Sequence, residues 1–160
     1  AVNQILVCVT ALGKLDKKRY EETEPIKSGD NIYMSKEISL EGNRKIDFVM
    51  FGCPHFTLDE VKYIADKIKD KKLKKDMYIL TSSYIRDMAI RMGLNDIIEK
   101  AGGSIIPDTC PDQPCWHHLK GKVGVTESPK CAYYPQRRGI YFVIRDLDTC
   151  IEAALTGEVK

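Results

Sequence analysis

The chain has 160 residues, 43% of them hydrophobic, which is enough for one domain with a sizeable core. Charged residues reach 30%, but the formal net charge is only +2, so no one-signed surface points to a nucleic-acid or membrane partner. No apolar run approaches the ~20 residues of a membrane span, and no charged-then-apolar leader opens the chain, so it reads as soluble and cytoplasmic.

In chain order, Gln4–Thr10 predicts a strand. Residues 13–42 are polar and charged, with an edge strand expected near Ile32–Met34. Lys45–Phe51 is an apolar run of strand length, followed by the turn Gly52-Cys53-Pro54-His55-Phe56. Thr57-Leu58-Asp59-Glu60 has the form of a capping box, in which hydroxyl and carboxylate satisfy free amides at a helix start. Leu58, Val61, Ile64, Ala65 and Ile68 recur at helical spacing and predict a helix to about Lys71.

The alternation then repeats. Met77–Leu80 predicts a strand ending in the polar turn Thr81-Ser82-Ser83, and Tyr84–Met92 a helix stopped at Gly93. Asn95–Ala101 predicts a second helix, Ser104–Ile106 a short strand, and residues 107–120 a loop rich in proline, cysteine and histidine. Lys122–Val125 is another strand, ending in Thr126-Glu127-Ser128, with a short helix over Lys130–Tyr133. Ile140–Val143 is the last strand and Asp146–Leu155 the last helix. Short apolar strands alternating with helices imply an α/β fold: a mostly parallel sheet with helices on both faces, three-layered and Rossmann-like.

In such sheets the site lies beyond the carboxyl ends of the strands. Here those ends carry Cys53 and His55, Ser82 and Ser83, Asp108-Thr109-Cys110, and Ser128 with Lys130. Cys53 stands ahead of a helix start, where free amides and the dipole favour a thiolate, the form that binds metal. His55 is a candidate ligand, although a histidine in a turn more often serves as a hydrogen-bonding residue. The six cysteines, at 8, 53, 110, 115, 131 and 150, read as reduced thiols, with Cys8 and Cys150 as core residues. Cys110-x4-Cys115-x-His117-His118 has the residue types of a zinc site but not the usual spacing.

These strand ends resemble one family. Gly52-Cys53-Pro54-His55 with Thr57–Glu60 is similar to the GCPH segment of aconitase X large subunits. Thr81-Ser82-Ser83, Asp108-Thr109-Cys110 and Thr126–Tyr134 resemble that family's threonine–serine turn, second cysteine motif and T-x-S-x-K-x-A-x-Y segment, in the same order. Residues 45–154 carry the likeness. Pro111–Trp116, Glu127 and Pro129 depart from the pattern.

The resemblance implies a hydro-lyase with an iron–sulfur cluster or mononuclear iron, acting on a small hydroxy acid such as mevalonate 5-phosphate or cis-3-hydroxyproline. It implies Cys53 and Cys110 as two of three cysteine ligands, the third lying outside this chain. It further implies as partners the remainder of a large subunit and a small swivelling β-rich subunit. On that reading residues 1–160 form a single α/β domain, a fragment or subunit of a larger enzyme, an idea the start at Ala1 also suggests. Ser82, Ser83, Ser128 and Lys130 are its substrate-binding candidates, able to hold a carboxylate or phosphate. The alternatives are a non-catalytic small-molecule-binding domain and a zinc-binding one.

Overall fold

A computed structural model describes residues 39, 40 and 42–159. The strands expected at Gln4–Thr10 and Ile32–Met34, with Cys8, lie outside the described residues.

The strands are β1 (Arg44–Lys45), β2 (Phe48–Phe51), β3 (Asp76–Thr81), β4 (Gly103–Pro107), β5 (Val123–Thr126), β6 (Tyr141–Ile144) and β7 (Glu158–Val159). The helices are α1 (Leu58–Ile68), α2 (Ser83–Arg91), α3 (Leu94–Ala101), α4 (Pro129–Tyr133) and α5 (Leu147–Thr156). Two 3-10 segments, Pro114–Leu119 and Tyr134–Arg138, complete the order. Five strands form one parallel sheet in the order β4-β3-β2-β5-β6. From β2 the chain builds outward through β3 to β4, then returns to place β5 on the other side of β2. The sheet's direction of growth therefore reverses between β2 and β5, the position at which open α/β sheets leave a crevice.

Alternation along each strand sends side chains to two cores. Val49, Phe51, Met77, Ile79, Val125 and Val143 face α1, α3 and α5, where Val61, Ile64, Ala65 and Ile68 of α1 meet them. Fully burying an aliphatic side chain of this size contributes about 1.5–3 kcal/mol, so this stripe holds the helix in place. Phe48, Met50, Leu80 and Phe142 face the other way, against Trp116, Leu119, Cys131 and Ala132. Phe48 and Phe142 meet edge to face, with centroids 5.3 Å apart, directly over Gly124. A Cβ at Gly124 would lie 2.6 Å from the Phe48 ring, so this strand position has room only for glycine.

Helices do cover both faces, but unequally: among the described residues the second face has only α4 and the 3-10 segments. Residues 107–120, expected as a loop, contain one of these segments. Pro114 fits its first turn, and Trp116 and Leu119, three apart, fall on one side of a 3-10 turn. α1 ends at Ile68 rather than near Lys71. Lys69 turns extended and Asp70 takes a left-handed φ of 60°, because the charged residues beyond Ile68 have no apolar face to bury. No helix among the described residues is long and apolar enough to cross a membrane.

Candidate functional site

All five strand ends of the parallel sheet open on one edge, with the β2 turn at its centre. This turn is fixed at nearly every polar position. Gly52 has φ +96°, and a Cβ there would lie 1.9 Å from the Leu80 carbonyl oxygen, so only glycine permits the close pass of β2 over β3. The Cys53–Pro54 bond is cis. The Phe56 N–H donates to Leu80 O at 3.0 Å, and the Thr81 hydroxyl donates to Phe56 O at 2.5 Å. The Cys53 side chain is 7% exposed, on the second core with Cys131. α1 begins beyond the turn at Leu58 and caps itself: Thr57 N–H donates to Glu60 at 2.8 Å and Glu60 N–H to the Thr57 hydroxyl at 3.4 Å. The amides expected to favour a Cys53 thiolate are thus partly satisfied by the capping box itself.

His55 ties this turn to the second cysteine loop. Its Nε2 lies 2.7 Å from the Thr109 carbonyl oxygen, so this nitrogen carries the proton and donates. Only Nδ1 then remains for a metal, which makes His55 first a bridge between the turn and the loop. The loop itself is built by its neighbours. Trp116 Nε1–H donates to Cys110 O at 2.9 Å, and Gln113 Nε2 lies 3.8 Å from Cys110 Sγ. Asp112 accepts from both Arg137 and Arg138, and the Arg137 guanidinium, more than the Arg138 one, holds its carboxyl below the ordinary range. Cys110 is half-buried and Cys115 exposed.

Each serine has a partner. Ser82 caps α2, its oxygen accepting from Ile85 N–H at 3.3 Å. Ser83 donates to Asp108 through its backbone N–H at 2.9 Å and through its hydroxyl, and the N–H is the main cause of that carboxyl's lowered pKa. Ser128 caps α4, accepting from Cys131 N–H at 3.2 Å while its hydroxyl donates to Cys53 O. A hydroxyl has one proton to give. Those of Ser83 and Ser128 are committed, while the Ser82 proton has no acceptor among the described residues. Lys130 is half-buried, and among the described residues no carboxylate pairs with it.

Beside Ser128, Glu127 is half-buried. Burial pushes its carboxyl up to about 7, although the Gly52 N–H and the Thr126 hydroxyl (3.3 Å away) both donate to it. In the sequence this residue stands out only as a lone acid at the end of an apolar strand and as a departure from the family pattern. Burial likewise pushes the Cys131 thiol well up, with the neighbouring Cys53 adding to the effect. Cys150 is fully buried and also raised, as a core thiol should be.

A sequence model of the aconitase X third domain matches residues 46–156. The chain belongs to the aconitase X family. It is 42% identical over 92 residues to the phosphomevalonate dehydratase large subunit of Methanocaldococcus jannaschii, covering 58% of this chain and 23% of that protein. It is 34% identical over 122 residues to the large subunit from Methanothermobacter thermautotrophicus, covering 72% and 31%. With the cis-3-hydroxy-L-proline dehydratase of Hypocrea jecorina it shares 27% over 128 residues, covering 74% and 21%. The crystal structure of Thermococcus kodakaraensis aconitase X in its holo-form superposes with a TM-score of 0.67 at 29% identity, over 84% of this chain and 37% of that one. The chain therefore spans between 21% and 31% of the length of these curated relatives.

Within this aconitase X domain the expected site residues share one edge, but the described residues do not form a complete metal centre. Among them no three His, Cys, Asp or Glu side chains converge on one point. Cys110, Cys115, His117 and His118 accordingly do not assemble the zinc site their residue types suggested. Cys115 Sγ lies 3.8 Å from the Thr109 hydroxyl, and His118 Nδ1 lies 3.2 Å from Cys115 O.

Proposed function

We propose that this chain is the part of an iron–sulfur or mononuclear-iron hydro-lyase that supplies Cys53 and Cys110 as two metal ligands. Its substrate is a small hydroxy acid such as mevalonate 5-phosphate or cis-3-hydroxyproline. The observation that carries this reading is the hydrogen bond from His55 to Thr109 O, 2.7 Å long, which joins the two cysteine-bearing turns at one sheet edge. Two soft thiol donors suit iron and sulfide. They fit as part of a set of three, with the third donor supplied from outside the described residues. When bound, an iron centre with an open position supplies Lewis-acid polarisation of the departing hydroxyl.

The chain's own residues do the holding. Lys130 and Ser82 retain the capacity to donate to an anionic group, Lys130 through an ammonium that no described carboxylate neutralises. Ser83 and Ser128 have committed their protons, so their part is to shape the edge on which the substrate rests. Asp108, which accepts from Ser83, and His55 hold the Cys110 loop against that edge. The base that removes the substrate proton, and the walls that exclude water, belong to the remainder of a large subunit and a small swivelling β-rich subunit. The enzyme acts in the cytoplasm.

The test is anaerobic co-expression with those partners, followed by iron, sulfide and zinc analysis and assays on both substrates. Iron with sulfide, lost in both Cys53→Ala and Cys110→Ala, together with dehydration of either hydroxy acid, is the expected result. Zinc in place of iron, or iron that survives both substitutions, would refute the reading.

A further inference from the structure

At the point where the sheet reverses, two consecutive residues of the β5 end grip the backbone on both sides of Cys53. The Glu127 carboxyl accepts from the N–H of Gly52, the residue before it, and the Ser128 hydroxyl donates to the carbonyl of Cys53 itself. Both partners are anchored. Glu127 also accepts from the Thr126 hydroxyl at 3.3 Å, and Ser128, only 4% exposed, is fixed by Cys131 N–H at 3.2 Å as the cap of α4. Ser128 N–H in turn donates to the Thr126 hydroxyl at 3.3 Å, so Thr126, Glu127 and Ser128 form one connected unit.

We infer that Glu127 and Ser128 act together as positioning residues for Cys53, clamping the peptide frame that carries its thiol. The inference rests on the reading of Cys53 as a ligand, and it gives Glu127, a departure from the family pattern, a definite role. A cysteine that must present its sulfur in one direction needs its backbone fixed, because the side chain has a single rotatable bond to the sulfur. The far end of the turn is already held by β3 through Phe56. At the near end Gly52 packs against the Leu80 backbone, and the clamp adds two polar ties there. The geometry matches the general pattern of metal sites, in which partners behind the ligands orient them.

The experiment uses the reduced, metal-free full chain and reads iodoacetamide alkylation at each cysteine by peptide mass mapping. Cys53 is buried, so it is modified through local opening, and the clamp sets how often that opening occurs. Glu127→Ala should raise the Cys53 rate roughly tenfold, the factor that corresponds to about 1.4 kcal/mol, with Cys150 unchanged. Glu127→Gln keeps an acceptor oxygen for Gly52 N–H and should return the rate to that of the parent or below it. Ser128→Ala should accelerate Cys53 as well, together with Cys131, because it also removes the cap of α4. If Glu127→Ala does not fold, Glu127→Asp withdraws the acceptor by one methylene and carries the same test. An unchanged Cys53 rate, a parallel rise at Cys150, or failure of Gln to rescue would each overturn the clamp. Metal is absent throughout, so failure here is distinct from failure of the iron-binding reading.

Discussion

Among the described residues, one face of the sheet is covered by α1, α3 and α5, helices of 11, 8 and 10 residues, while the other is covered by the five-residue α4 and two 3-10 segments of 6 and 5. The strands between them are shared, so the difference lies in the covering. Longer amphipathic helices bury a continuous stripe of apolar side chains. Short segments cannot, and they depend on particular side chains: Trp116 against Tyr78 at 5.2 Å between centroids, the Asp112 pairing with Arg137 and Arg138, and Ser128 at the start of α4. Cys53 packs into the second core, and Trp116 of its covering hydrogen-bonds the Cys110 backbone. The candidate ligands thus lie on the side of the sheet whose covering, among the described residues, is the less self-sufficient.

The sharpest way to break this division is at the seam between the layers. Gly52→Ala places a Cβ into the Leu80 backbone at a left-handed φ, and relief requires β2 to move. The expected cost is about 4 kcal/mol or more, in the range where core strain and backbone strain combine, and denaturant unfolding should show it. A loss below about 1 kcal/mol would mean that the turn is far softer than its hydrogen bonds indicate.

Next come paired truncations. Ile64→Ala on the helical face should cost about 3–5 kcal/mol, because packed helices on both sides prevent collapse of the cavity. Leu119→Ala on the other face should cost about 2–3 kcal/mol, since a short 3-10 segment can settle into the space. Native-state hydrogen exchange should show the Ile64 effect across the whole domain and the Leu119 effect chiefly in residues 114–138. Equal, global effects would erase the distinction between the faces.

A smaller effect is set by pH. Glu127 is raised from 4.5 to about 7 in the folded chain, so between those values the folded state holds a proton that the unfolded state has released. Its favourable contribution is complete below about 4.5 and is lost as pH rises through about 7. Glu127→Gln is neutral throughout. It should gain on the parent by on the order of 1–2 kcal/mol at pH 8, discounted for the side chain's partial exposure, and by almost nothing at pH 4.5. A difference between the two proteins that does not vary with pH would show that the carboxyl is well solvated.

The smallest expected change in stability is that of Lys130→Ala, within about 0.5 kcal/mol. On the proposed function, the same substitution in the reconstituted complex should leave iron content intact but weaken substrate binding roughly ten- to hundredfold, the loss of one charge-assisted hydrogen bond. Unchanged affinity would return Lys130 to the solvent-facing surface.

The same division explains what could be read in advance. α1, α3 and α5 follow from the spacing of residues such as Val61, Ile64, Ala65 and Ile68, and the capping box at Thr57 marks a start to within a residue. The strand ends were legible because each apolar run stops at small polar residues or cysteine. The second face was not. Trp116 and Leu119 span less than two turns, too short for a period to show, and Asp112 gives no local sign that it will meet arginines 25 and 26 residues away. Glu127 was visible only as an oddity, because its meaning depends on Gly52, which parallel pairing brings beside it from 75 positions earlier.

β1 and β7 form a two-residue antiparallel pair, Arg44 opposite Val159 and Lys45 opposite Glu158, reinforced by Ile46 N–H donating to Gly157 O at 3.2 Å. The segments that lead into β2 and out of α5 are therefore zipped side by side, at the end of the sheet away from Cys53. A longer polypeptide could carry such a unit the way a handle carries a tool head. A pull or twist applied at residues 44 and 159 would load the zipper, while the strand ends around Cys53 would travel as one piece. Load taken up by the zipper in this way would leave the angle between the two cysteine turns unchanged.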